Sequence, residues 1–353
     1  MPVLRLMPLL ALAMMASSTP TPPQAASPDE ALNALWTEYG NAGGRWTGAD
    51  RTASVPLPDG RTAWLFSDTF LGKVNTDHSR PAGTPMPRNT LVVQEADGSL
   101  GATLHGGTPD RPRALVDLPG ADEHLWVGDG IVQNGVLRVL YNRYQTTGNG
   151  PLDVRGAGTS LATFALPALA LTSLITIPVG RNIAWGSEIL QDGDHTYVYG
   201  AEHDGPFGKH LRLARVPGGD LTGPWEFWTG QGWSRFEEDS VRVLTGVGTA
   251  FSVTKVGDEH VLVTVDSNVP FNRNVVAYTA SSPAGPFGDP RVLYHAPEAG
   301  SSIIVYDASA HPQLSRPGEL TVSYNVNSLD PRDALADARI YRPRFIEVPW
   351  PPE

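Results

Sequence analysis

Five times along this 353-residue chain an apolar stretch meets a tight polar turn and returns as a second apolar stretch. The segments are "SVPLPDGRTAWLFSD", "GDGIVQNGVLRVLYNRY", "SEILQDGDHTYVYGAE", "FSVTKVGDEHVLVTVD" and "HPQLSRPGELTVSYNVN". Their turn glycines, Gly60, Gly135, Gly193, Gly257 and Gly318, are separated by 75, 58, 64 and 61 residues. A third strand follows each of the first four hairpins ("RNTLVVQ", "TSLATFAL", "HLRLARV", "NVVAYTA"), and a fourth follows that, as in "LTSLITIP" and "PRVLYHAP". Such regularity over about sixty residues marks a repeat architecture. It predicts an all-β fold, a five-bladed β-propeller of four-stranded antiparallel blades. A decorated β-sandwich is the alternative, and it does not explain five regular units. "ALNALWTEYG" predicts a short helix capping one face, and "ARIYRPRFIEVPW" is expected to supply the remaining strand or strands of the fifth blade.

Composition fits this reading. Glycine and proline are abundant, at 37 and 32 residues, and 41% of residues are apolar, which permits a large core. Cysteine is absent, so disulfides and thiolate metal sites are excluded and packing alone must stabilise the fold. A net charge of −11 with no basic stripe argues against a nucleic-acid partner. Residues 1–26 read as an export signal, "LMPLLALAMMA" after Arg5, followed by a Pro/Thr spacer. The folded domain is expected over 29–350, as a secreted monomer with no membrane attachment once the signal is cleaved.

The ends of the inner strands of a propeller surround a central pocket. Asp50 and Asp68 lie nine residues either side of Asp59 in the Asp59-Gly60 turn, so antiparallel pairing returns both to one mouth. A tryptophan precedes an acid in the first three units: Trp46 before Asp50, Trp126 before Asp129, Trp185 before Glu188. The fifth unit offers Asp307 and His311 in "YDASAHP", whereas the fourth has no acid at this point. Aromatic faces beside carboxylates suit a sugar, which stacks on the ring while the acids bind hydroxyls or protonate a glycosidic oxygen. Trp126, Asp129, Trp185, Asp307 and His311 are therefore the expected substrate contacts. A tryptophan in a strand can equally be core, and His311 a satisfied channel residue. No G-x-S-x-G, H-E-x-x-H or P-loop motif occurs.

The stretches "GRWTGADRTASVPLPDGRTAWLFSDTFLG", "RNTLVVQ", "GPWEFWTGQGW" and "SYNVNSLDP" with "ADARIYRPRF" resemble exported bacterial five-bladed propellers catalogued as domains of unknown function. The resemblance covers about residues 30–348 and extends to endo-D-arabinanases of glycoside hydrolase family 183 and, more distantly, to glycoside hydrolase family 43. It implies that the acids of Gly48-Ala49-Asp50 and Asp68-Thr69 are catalytic. Ser67 departs from the glycine that many relatives carry there. Two functions follow as expectations. One is a secreted glycosidase acting on a furanose polysaccharide such as arabinan, with Asp50 and Asp68 as the pair, Glu188 as an alternative proton donor and Asp129 in support. The other is a non-catalytic carbohydrate-binding propeller. No cofactor is required, and by analogy with family 43 a calcium ion is expected in the channel near His311 and Asp307.

Overall fold

The computed structural model describes residues 25–118, 122–148, 153–204 and 208–351. The expected export signal and nearly all of its spacer lie outside the described residues. Five antiparallel sheets, each built on four strands, form the five-bladed propeller, and in the first four blades the strands run in chain order from the axis outward. The inner strands are Ala53–Pro56, Glu123–Gln133, Ile183–Asp192, Ser252–Val256 and Ile303–Ala310. Each blade packs against neighbours on both faces, so its middle strands are apolar without alternation. Every residue of Thr62–Phe66 is buried, for instance. The hairpin turns close as expected: Asn134 and Gly135 take φ of 51° and 75°, the left-handed pair that suits the twist of the strands they join.

The ring closes with both ends of the chain. Pro343–Pro349 is the third strand of blade 5, and Ser27–Pro28 lies outside it, pairing Ser27 with Glu347 and Pro28 with Ile346. The C-terminal segment thus supplies one of the two missing strands and the N-terminal segment the other. An edge position tolerates Pro28, which has no N–H to donate. Asp29 then caps the helix Glu30–Asn41 through its Oδ1, which accepts from Leu32 N at 2.9 Å. That helix drives Trp36 into an aromatic cluster, 4.9 Å from Trp46, 5.3 Å from Trp64 and 5.4 Å from Phe66 between ring centres. "GPWEFWTGQGW" packs outside blade 3, where Trp225 and Phe227 are buried and Trp228 and Trp233 half-buried.

Two kinds of interruption of regular pairing shape the channel. In blades 2, 3 and 5 the inner strand bulges at one level, between Val127 and Gly130, Trp185 and Glu188, and Tyr306 and Ser309. A bulge re-aims side chains that a straight strand would bury. In blade 1 the inner pair breaks outright and resumes as Arg45–Ala49 against Thr69–Gly72. Asp50 and Asp68 occupy the break.

Candidate active site

Asp50 and Asp68 are direct neighbours across the two strands of blade 1. Asp50 N donates to Asp68 O at 3.0 Å and Ser67 N donates to Asp50 O at 2.9 Å, so the antiparallel register survives the break. Gly48 is required just ahead of it, because a Cβ there would lie 2.3 Å from Tyr341 O and 2.4 Å from Arg80 Nη2. Immediately after Asp50 the chain turns through Arg51, whose φ is 55°. Ser67 accepts from Val127 N at 2.9 Å through its Oγ and ties blade 1 to blade 2.

The two carboxyl groups are held differently. Both oxygens of Asp50 accept hydrogen bonds from tyrosine hydroxyls, Oδ1 from Tyr306 and Oδ2 from Tyr341. Asp68 Oδ1 accepts from Trp126 Nε1 at 2.9 Å, and Oδ2 pairs with Arg88 Nη1 at 2.9 Å. Burial first, and then the charge of Asp68, push the Asp50 carboxyl up to about 8, against the two tyrosine hydrogen bonds. Burial raises Asp68 too, opposed by the Arg88 charge and by the Trp126 hydrogen bond. Tyr306 and Tyr341 are pushed well above their ordinary value by burial and by Asp50, so both remain hydroxyl donors.

A second acidic pair lies deeper, on the side of the hairpin turns. Asp129 Oδ2 accepts from Ile189 N at 3.0 Å, and the Glu188 carboxylate accepts from Val253 N. Burial raises Asp129 to about 6, and burial with the Asp129 charge raises Glu188. Arg51 faces both. Its Nε donates to Gly128 O at 2.7 Å, Nη1 to Ser309 Oγ at 2.9 Å and Nη2 to Ser187 O at 2.9 Å, spanning four blades. Below it a cavity of about 510 Å³ runs toward the turns, lined by Arg51, Asp129, Glu188 and His311 among others. Glu188 is thus electrostatically paired with Asp129, not with Asp50 and Asp68.

The other expected contacts divide as follows. Trp126 stands at the mouth. Trp185 does not: it is 0% exposed in the core between blades 2 and 3, lies against Gly200, and donates from Nε1 to Glu237 at 2.9 Å. Strand pairing shows why. Val127 and Trp185 are each the last paired residue before the bulge, so Trp126 aligns with Ala184 and the two tryptophans differ by one residue. Along a strand that offset reverses the face. Trp46 is likewise core. Asp307, in the left-handed region at φ 50°, borders the mouth, where its charge adds to the rise of Asp50. His311 is not a mouth residue. It packs against Trp64 at 5.0 Å, its Nδ1 lies 2.6 Å from Ser54 Oγ and its Nε2 lies 2.8 Å from Ser323 Oγ. Burial lowers it to about 3. With both nitrogens engaged, and with the Asp307 carboxylate accepting from the backbone of Ala250 and Arg51, the donors there do not fit a metal. Among the described residues no group of three or more acids and histidines is placed to hold one. Sequence reasoning missed Arg51, Arg88, Tyr306 and Tyr341. Arg51 and Tyr306 adjoin acids already singled out, whereas nothing local marks Arg88 or Tyr341.

Residues 29–350 match the family model described as a domain of unknown function (DUF5005). The chain belongs to that family. A crystal structure of a "putative hydrolase" from Bacteroides ovatus ATCC 8483 superposes on this DUF5005 chain with a TM-score of 0.77 at 26% identity, covering 92% of this chain and 90% of that one. The fold is also that of the GH43_1 enzyme from Xanthomonas citri complexed with xylose (TM-score 0.52, 13% identity, 89% and 92% covered). CoXyl43, a GH43 β-xylosidase/α-arabinofuranosidase from a compost microbial metagenome, shares it too (TM-score 0.51, 16% identity, 85% and 90% covered). No curated protein matches the DUF5005 chain in sequence.

Proposed function

We propose that this protein is a secreted glycoside hydrolase acting on a furanose-containing polysaccharide such as arabinan. The observation that carries the reading is the Asp50–Asp68 pair: two carboxyl groups on neighbouring strand ends, with Asp50 raised by burial and by Asp68 to about 8. Asp50 donates its proton to the glycosidic oxygen as the bond to the anomeric carbon breaks, and Asp68 serves the anomeric side. Pairing across adjacent strands favours the short separation of a retaining pair, in which Asp68 attacks the anomeric carbon and water then releases the sugar. Tyr306 and Tyr341 orient Asp50, while Arg88 and Trp126 hold Asp68 for attack. The "putative hydrolase" at 26% identity and the sugar-acting GH43 enzymes of the same fold support a sugar-acting hydrolase, and the α-arabinofuranosidase named among them favours a furanose.

A non-catalytic glycan-binding propeller is the second reading. One observation favours it: all four carboxylate oxygens of the pair already accept hydrogen bonds. Incubation with D- and L-arabinans, xylans and levans, followed by product analysis, separates the two. Release of oligosaccharides by the wild type, abolished in Asp50→Asn, supports the hydrolase. Retention of a glycan without any product supports the binding module.

A further inference from the structure

Beside the carboxylate pair, between blades 1 and 2, a cavity of about 440 Å³ opens. Among the described residues it is lined by Arg88, Asp122, Glu123, His124, Gln145 and Thr146, all polar side chains. That size lies within the range of small-ligand sites. Two contacts join it to the carboxylate pair. Arg88 forms part of its wall and pairs with Asp68. His124 sits edge-on to Trp126, 4.9 Å between ring centres, and Trp126 is the other partner of Asp68.

Its walls are held from behind. Glu123 accepts from Arg143 Nε at 2.9 Å, and Gln145 Oε1 accepts from Arg155 Nε at 3.0 Å and Nη2 at 2.6 Å. His124 is 8% exposed, backed by Tyr144 with 6.2 Å between nearly parallel rings, and its Nε2 has no hydrogen-bond partner. Burial and the nearby Arg88 lower it to about 4, so the ring is neutral at physiological pH. A buried ring nitrogen without a partner is costly unless a ligand or water satisfies it.

We propose that this cavity is a glycan subsite that binds the sugar unit next to the one at Asp50 and Asp68. The inference rests on the glycoside hydrolase reading above. Donors and acceptors of both signs, with Glu123 already neutralised by Arg143, suit an uncharged polyol better than a phosphate or carboxylate. Trp126 and Tyr144, with 4.7 Å between ring centres, pack behind His124 of the cavity wall, and Trp126 links it to Asp68. A substrate crossing from mouth to cavity therefore meets Arg88 and Trp126 at the junction, and filling the cavity fixes the chain across Asp68.

The test uses the full-length protein and arabino-oligosaccharides of increasing length. Affinity is measured by calorimetry on an Asp50→Asn background and cleavage on the wild-type background. Gln145→Ala removes a wall group, and Thr146→Trp, at an exposed position, fills the space; thermal melting checks that both fold. The expected result is a gain in affinity of tenfold or more when one further sugar unit is added. Both variants abolish that gain and lower kcat/KM for the longer substrates by a similar factor, mainly through KM. If the wild type binds and cleaves these sugars and both variants match it at every length, the subsite is overturned while the hydrolase reading stands. If the wild type neither binds nor cleaves any of them, the hydrolase reading itself falls and the subsite with it. Displacement of the bound sugar by inorganic phosphate at millimolar concentration would also overturn the assignment to a neutral unit.

Discussion

Two acidic pairs share one propeller axis, and they are secured in opposite ways. At the mouth, Asp50 and Asp68 are held by side chains: two tyrosine hydroxyls, an indole N–H and an arginine. Deeper in, Asp129 and Glu188 are held by backbone N–H groups of the next blade, Ile189 and Val253, with Arg51 tied to carbonyls of Gly128 and Ser187. A carboxylate bound to the backbone of another blade stitches the ring, and moving it would break inter-blade contacts. One bound to side chains can exchange those partners for a substrate. The difference separates the pair suited to chemistry from the pair suited to closure, although both are buried acids raised in pKa.

Substitutions should divide along that line. The largest expected effect is on turnover: Asp50→Asn and Asp68→Asn each lower hydrolysis by about three orders of magnitude or more, with unchanged circular dichroism. Wild-type turnover retained in both variants on a substrate the wild type cleaves would end the distinction. The converse is Arg51→Met, which leaves Asp129 and Glu188 facing each other without a cation. Denaturant unfolding should show a loss of about 3–5 kcal/mol, the usual cost of breaking a buried ion network. Glu188→Gln keeps the size and the acceptor for Val253 N, so it should retain most activity. A loss as large as that of Asp50→Asn would move the proton donor into the channel.

Much of this was legible in the sequence for physical reasons. Hairpin periodicity is a local signal, so the five blades and the return of Asp50 and Asp68 to one mouth could be read from turn positions alone. The closing strand at Ser27–Pro28 could not, because two residues flanked by a Pro/Thr stretch carry no pattern. Side-chain facing failed where a bulge changes register. Trp126-x-x-Asp129 and Trp185-x-x-Glu188 look equivalent in spacing, yet one residue of offset at the bulge puts one tryptophan at the mouth and the other in the core. Tyr341 and Arg88 are brought to the carboxylates by long connections between strands, which no repeat pattern constrains.

The mouth pair should also reveal itself as a stability cost. Folding raises the Asp50 carboxyl from 3.8 to about 8, so the folded state holds a proton that the unfolded chain releases. Its contribution is fully favourable below about pH 4, falls as pH rises between the two values, and is flat above about 8. Asp50→Asn removes this dependence. The variant should therefore be more stable than the wild type at pH 7, by about 1 kcal/mol or more, with the gain vanishing near pH 4. Thermal melts at both pH values check the sign. A variant less stable than the wild type at pH 7 would show that Asp50 is structural, like the channel acids.

The smallest effect is the most specific to the mouth. Tyr306 and Tyr341 donate to Asp50 and so favour its ionised form, partly offsetting burial and the Asp68 charge. Removing either hydroxyl removes its share of that offset. As general acid, Asp50 must be protonated, so kcat/KM on a cleaved arabinan should fall as pH rises through about 8. Tyr306→Phe and Tyr341→Phe should each move that alkaline limb to higher pH by roughly half to one pH unit, the equivalent of one net hydrogen bond. The plateau below the limb drops less than tenfold, because the carboxyl group remains. Gln133→Ala, which removes an amide between blades 2 and 3 bonded to Thr196 at 2.8 Å, supplies the control: any loss of stability should leave the limb where it was. A limb that stays fixed in both phenylalanine variants, or moves to lower pH, would mean that the proton controlling turnover does not reside on Asp50.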